Sequence, residues 1–355
     1  MPTITPQALL LILGFAAILL GAMLAAWTWA IGQKVTGRRV LVSIKGEPSL
    51  APWGVGSVVL CGLMFFAAQV VGMLVVMGLN PRRFLVPGID RLTMDFTAAD
   101  KMLIVTIGNL GLIPAILVLL RLTSGATARE IGLTGRPVGR NLARGAVAYL
   151  LMGAIVSGLM IGATRIWPPT AHPLQQMIML GGSWRVGLLA VISAVVMAPL
   201  AEEILFRGVL MGWLWRVGVR ASPTGWHLML PNVITSLIFA GVHAGQWPAP
   251  VPLFALSMGL GLLYRRTGSL WGPIALHACQ NGVSTAMLLL IVNVAPGALP
   301  KSDKLGPVGV VRLSVNRLVS LSPNRVGSTV LGSSPRPNLP IAEGLSPRDH
   351  GSPAP

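Results

Sequence analysis

The sequence predicts an all-α, polytopic membrane protein: a bundle of about eight transmembrane helices with a disordered C-terminal tail. Three observations point there. Of 355 residues, 53% are hydrophobic and only 10% are charged, whereas soluble domains carry about 25% charged residues. The apolar residues are grouped in runs of the length, about 20 residues, that a helix needs to cross a hydrocarbon core roughly 30 Å thick. Most of the basic residues behind the net charge of +17 lie in short segments between those runs. That is where loop charges set topology, so the charge is assigned to the membrane and not to nucleic acid.

Eight runs qualify, near residues 7–31, 52–79, 102–120, 145–163, 186–210, 229–245, 250–264 and 271–295. The first has no Lys or Arg ahead of it and is about 25 residues long, so it is expected to be a retained span and not a secretory signal. The sixth and seventh are short and separated by Gln246-Trp247-Pro248-Ala249-Pro250; such helices are tilted, partly buried or broken. Segment 122–143 mixes Arg with apolar residues and is expected to be a loop in preference to an interfacial helix. From residue 296 onward Pro, Ser, Gly and Arg dominate, as expected for a disordered tail. With the N-terminus outside, thirteen Lys and Arg fall in the cytoplasmic loops and six in the loops opposite, the bias that orients membrane proteins. Cys61 and Cys279 lie within apolar runs and show neither disulfide nor metal spacing, so both are expected to be packing residues.

The acidic residues isolate a site. Glu47, Asp90, Asp95, Asp100 and Glu130 come before it and Asp303, Glu343 and Asp349 after it; between them stand only Glu202 and Glu203, inside the fifth run. A carboxylate at membrane depth is costly, so it faces a protein interior or a wet cavity and finds a partner there. Arg207 lies one helical turn from Glu203 and shares its face, while Glu202 is rotated from Glu203 by about 100°. Two adjacent carboxylates resist ionising together unless a cation compensates, which makes one a candidate base and the other a structural anchor.

Three further residues narrow the chemistry. His243 follows Phe239 by one turn, and His277 precedes Asn281 by one turn, each on a different apolar run. A lone intramembrane histidine is usually a hydrogen-bonded packing residue. Two of them, with an amide and a carboxylate pair, suit hydrolysis: a carboxylate takes a proton from water, one imidazole orients that water, and the other imidazole with an amide stabilises the oxyanion. Ser193 and Ser257 lack a nucleophile-elbow motif, and Cys279 and His277 point to different faces.

In this order on successive runs, Glu202-Glu203-Ile204-Leu205-Phe206-Arg207, Phe239 with His243, and His277 with Asn281 resemble the three motifs of the CPBP family of intramembrane proteases, which includes the type II CAAX prenyl endopeptidases. The resemblance covers 202–281 closely, and the residues from Tyr264 to Trp271 also resemble the family. It implies a glutamate-dependent endopeptidase. Glu202 would activate water with His243, and His277 and Asn281 would stabilise the oxyanion. Spacing adds Glu203 and Arg207 as a supporting pair and Phe239 as packing for His243. The chain then divides into N-terminal transmembrane helices (1–185), a CPBP-like core (186–295) and the tail (296–355). The expected partners are a membrane-associated protein or peptide substrate and the lipid bilayer, with no nucleic acid, and the expected setting is a bacterial cytoplasmic membrane.

No cofactor is expected. A zinc site on Glu202, His243 and His277 is the alternative, although the helical zinc signature of two His flanking a Glu is absent. Two non-hydrolytic alternatives are a proton-coupled transporter, which uses buried Glu and His as a relay, and a membrane scaffold or immunity protein that binds a peptide without cutting it. Depth sets a geometric condition. At 1.5 Å per residue Glu202 and His277 lie roughly 9–12 Å deep, but His243 lies roughly 16–21 Å deep. The sixth helix must therefore tilt, start deeper or break near the site.

Overall fold

In the computed structural model the described residues are 5–36, 51–81, 96–133, 137–168, 184–221 and 229–294, and every predicted apolar run is helical. Helix α1 (Pro6–Val35) starts at Thr5, whose hydroxyl accepts from the Ala8 N–H, with Pro6 in the first turn, where a missing donor costs nothing. Helix α2 spans Val55–Leu79. Helix α3 (Ala98–Ser124) opens with a reciprocal Thr97–Asp100 capping box and closes at Gly125, whose φ of 69° suits glycine. Helix α4 is Val138–Ile166. The fifth helix, α5, runs continuously through residues 184–221 but changes its winding along the way. Helices α6 (Leu230–Val242), α7 (Pro250–Thr267) and α8 (Trp271–Val294) follow.

Six of these are long and apolar enough to cross a membrane: α1 to α5 and α8. The predicted sixth and seventh runs are helical but do not qualify. The 13 residues of α6 reach about 20 Å, short of the hydrocarbon thickness. The expected loop at 122–143 is shorter than predicted, because α3 continues to Ser124 and α4 begins at Val138. Residues 125–133, between them, are packed against the bundle: Ile131 is buried, its carbonyl accepts from the Tyr264 hydroxyl, and the Gly132 carbonyl accepts from the Leu270 N–H at 2.8 Å. The predicted tail at 296–355 lies outside the described residues.

Apolar side chains face outward, as lipid-exposed helices require: Leu10, Ile18 and Leu122 are all more than two-thirds exposed. The largest core surrounds α5. Ile204, Val209 and Met211 pack there with Trp53, Leu112, Ile116, Leu120, Tyr264 and Leu270, drawing α2, α3 and α7 around it. A second core joins α4, α7 and α8 through Tyr149, Leu256, Leu260, Leu263 and Leu276.

Helices in lipid approach through small residues, since lipid tails compete for any apolar contact. At the α4–α8 crossing, a Cβ on Gly145 would run into the Gly272 carbonyl oxygen and sit 2.6 Å from the Ala275 Cβ. Gly145→Val should therefore destabilise the protein by about 1–3 kcal/mol. The expected readout is a lower melting midpoint in detergent, with Gly158→Val, which has nothing within 4 Å, melting as the wild type does. Equal midpoints for the two variants would show that the α4–α8 crossing does not depend on a small residue at 145.

Candidate active site

Helix α5 carries the carboxylates on a short α-helical stretch, Ala198–Glu203, between two π-helical turns, Ile192–Met197 and Ile204–Met211. Such wide turns inside helices redirect side chains and free main-chain carbonyls, and they concentrate at functional sites. The second is braced from outside the helix. The Trp53 indole N–H donates to the Val209 carbonyl at 3.0 Å, and Arg216 Nη1 donates to the carbonyls of Ala51, Pro52 and Trp53 at 3.0, 2.8 and 3.0 Å.

Glu203 is fully buried. Its Oε1 accepts from Arg207 Nη1 at 3.0 Å, the one-turn pair that spacing predicts, and also from His277 Nδ1 at 2.8 Å. Arg207 is equally buried: Nη2 donates to Ser257 Oγ at 2.7 Å, and the guanidinium lies 4.8 Å from the centre of the Phe239 ring. The charges are thus compensated by each other, a hydroxyl and an aromatic face, as burial demands. Ser257, which has no nucleophile motif, anchors the arginine, a contact across 50 residues that no local pattern contains.

Glu202 differs from its neighbour. Its side chain is 21% exposed, and Oε2 stands 3.9 Å from His277 Nε2. With Nδ1 of His277 on the Glu203 carboxylate, the ring is oriented with Nε2 toward Glu202. The Glu203–His277 bond spans 74 residues.

The sixth helix breaks near the site, one of the three solutions that depth requires. Helix α6 stops at Val242, His243 caps it with φ −96° and ψ 10°, and a 3₁₀ turn follows at Ala244–Gln246. His243 Nδ1 lies 2.8 Å from the Phe239 carbonyl, and its ring centre lies 4.9 Å from the Phe239 ring. The Phe239 ring also meets His277 at 5.8 Å and Phe206 at 5.1 Å. Phe239 therefore does more than pack His243: it touches Arg207, His243 and His277 at once. The structure brings Glu202, Glu203, Arg207, Phe239 and His277 into direct contact and joins His243 to them through Phe239. Among the described residues, His243 makes no hydrogen bond or ion pair with either glutamate. Asn281, one turn along α8 from His277, donates from Nδ2 to the Ala194 carbonyl in the first π-turn at 2.8 Å. As placed, no group of three His, Cys, Asp or Glu among the described residues is spaced to hold a metal ion, the alternative zinc set of Glu202, His243 and His277 included.

Residues 184–283, from the start of α5 to just past Asn281, match the family model described as type II CAAX prenyl endopeptidase Rce1-like. This segment is similar to the CPBP, or CAAX-protease, family. The match indicates a peptidase set in a membrane, and all seven residues singled out from the sequence lie within the CPBP segment. No curated protein and no solved structure matches the chain.

Proposed function

We propose that the protein is an intramembrane endopeptidase of the bacterial cytoplasmic membrane, in which Glu202 activates the water that hydrolyses a peptide bond in a membrane-associated protein or peptide. The observation that carries this reading is the division between the two carboxylates. Glu203 is sealed from solvent with Oε1 held by Arg207 and His277, whereas Glu202 is partly accessible and, among the described residues, pairs with His277 Nε2 across 3.9 Å. A general base needs reach to water and a lone pair not already committed. Glu202 has both.

In the proposed cycle Glu202 takes a proton from water as the water oxygen attacks the scissile carbonyl, and His243, at the broken end of α6, orients that water. The carbonyl oxygen gathers negative charge, which His277 and Asn281 stabilise as donors. For His277 this requires a proton on each ring nitrogen, with Nδ1–H held by Glu203 and Nε2–H offered to the oxyanion. Glu202 then returns its proton to the leaving amine, the amide C–N bond breaks, and a carboxylate and an amine are released. Arg207, held by Ser257, keeps Glu203 in place.

No step uses a metal. Full activity is therefore expected after exhaustive chelation, checked by elemental analysis of the purified protein; loss on chelation with recovery on adding zinc would overturn the metal-free mechanism. The substrate is sought by comparing membrane proteomes of wild type and Glu202→Ala. At least one membrane peptide should persist uncut in the variant, and identical proteomes would count against a protease and favour the transporter or scaffold.

A further inference from the structure

Pro199 stands three residues before Glu202 and between the two π-turns, and it is buried. Its effect is exerted through a hydrogen bond it cannot make. In an α-helix the Ala194 carbonyl would accept from the N–H of residue 198, and in a π-helix from that of residue 199. Here the Ala198 N–H is given to the Ser193 carbonyl, five residues back. Residue 199 is proline and has no N–H to give. Both main-chain donors of Ala194 are thus removed, the first by the winding of the π-turn and the second by covalent structure. An orphaned carbonyl inside a membrane protein must find another donor, and the donor is Asn281 Nδ2 at 2.8 Å from a different helix.

We propose that Pro199 is a positioning residue for Asn281: by denying Ala194 a main-chain donor, it creates the acceptor that fixes the Asn281 amide in the active site. An asparagine amide nitrogen carries two hydrogens. One is committed to Ala194, which sets the plane and direction of the amide and leaves the second for the oxyanion. The inference rests on the oxyanion role given to Asn281 in the proposed mechanism. The hydrogen bond itself, and its dependence on residue 199, are independent of that role.

The decisive comparison is between Pro199→Ala, which supplies an N–H able to reclaim Ala194, and the hydroxy-acid analogue of alanine (lactic acid) incorporated at 199. The latter has the same side chain with an ester oxygen in place of the N–H. Pro199→Ala should lower kcat roughly 10- to 100-fold with little change in KM, because a donor in the oxyanion site is misdirected but not removed. The ester variant should restore most of that loss. In an Asn281→Ala background Pro199→Ala should have no further effect on kcat, since the two act as one unit. Independently of activity, the side-chain amide resonance of Asn281, assigned by its disappearance in Asn281→Ala, should shift in Pro199→Ala and return in the ester variant. An unshifted resonance overturns the proposal even if the protease reading stands. An ester variant as impaired as Pro199→Ala, or additive losses with Asn281→Ala, also overturns it. If the wild type proves not to be a peptidase, the resonance alone decides whether Pro199 holds Asn281.

Discussion

Glu202→Gln should lower turnover by roughly 10²–10⁴-fold, the range over which a positioned general base contributes, while leaving the melting curve of the purified protein where it was. The two halves of this expectation have separate physical grounds. Glutamine keeps the shape and the hydrogen-bonding reach of glutamate but cannot take a proton from water. The side chain is 21% exposed and stands 3.9 Å from His277 Nε2; after the substitution His277 and Arg207 both keep their bonds to Glu203, so no buried group is left without its partner. Turnover is measured on the peptide found by the proteome comparison, and stability by thermal unfolding in detergent. Retained turnover would falsify the assignment of Glu202 as base.

Glu203→Ala should do the reverse and fail at the level of the fold. Removing this carboxylate leaves the Arg207 guanidinium fully buried without its ion-pair partner, and removes the acceptor of His277 Nδ1. Breaking one partner out of a buried ion pair costs about 3–5 kcal/mol, a large part of the stability of most domains. The variant should express poorly or melt well below wild type. Glu203→Ala combined with Arg207→Leu should recover part of the loss, because the uncompensated charge then goes as well. A Glu203→Ala protein as stable as wild type would show that Arg207 finds its compensation elsewhere.

These contrasting outcomes for adjacent residues also mark how far the sequence can be read. The eight helical segments were legible because hydropathy and span length are properties of contiguous residues. The Glu203–Arg207 pair was legible because a turn of helix puts residues four apart on one face. The break after α6 was one of three solutions that depth arithmetic left open, beside a tilt and a deeper start. What the chain did not disclose is long-range or depends on winding. The Glu203–His277 bond and the Ser257 anchor join residues 74 and 50 apart. Trp53, far upstream, bonds the second π-turn. The π-turns also remove the even periodicity from which side-chain directions are inferred, so the sequence could pair Glu203 with Arg207 but not give the difference in exposure between the two glutamates. His243 was placed beside Glu202 by the motif order; in the fold it reaches the group only through the Phe239 ring.

The brace on α5 bears on modularity. The matched segment, 184–283, contains every residue of the proposed chemistry, yet it is not a transplantable unit. Its Val209 carbonyl, Arg216 and the face around Gly212 are completed by Ala51, Pro52 and Trp53, and Leu270 by the turn at Gly132. Excised alone, it would present unmet polar groups and a bare flank of its central helix to lipid. Grafting this activity onto another scaffold means carrying over the entrance to α2 and the α3–α4 turn along with the motifs.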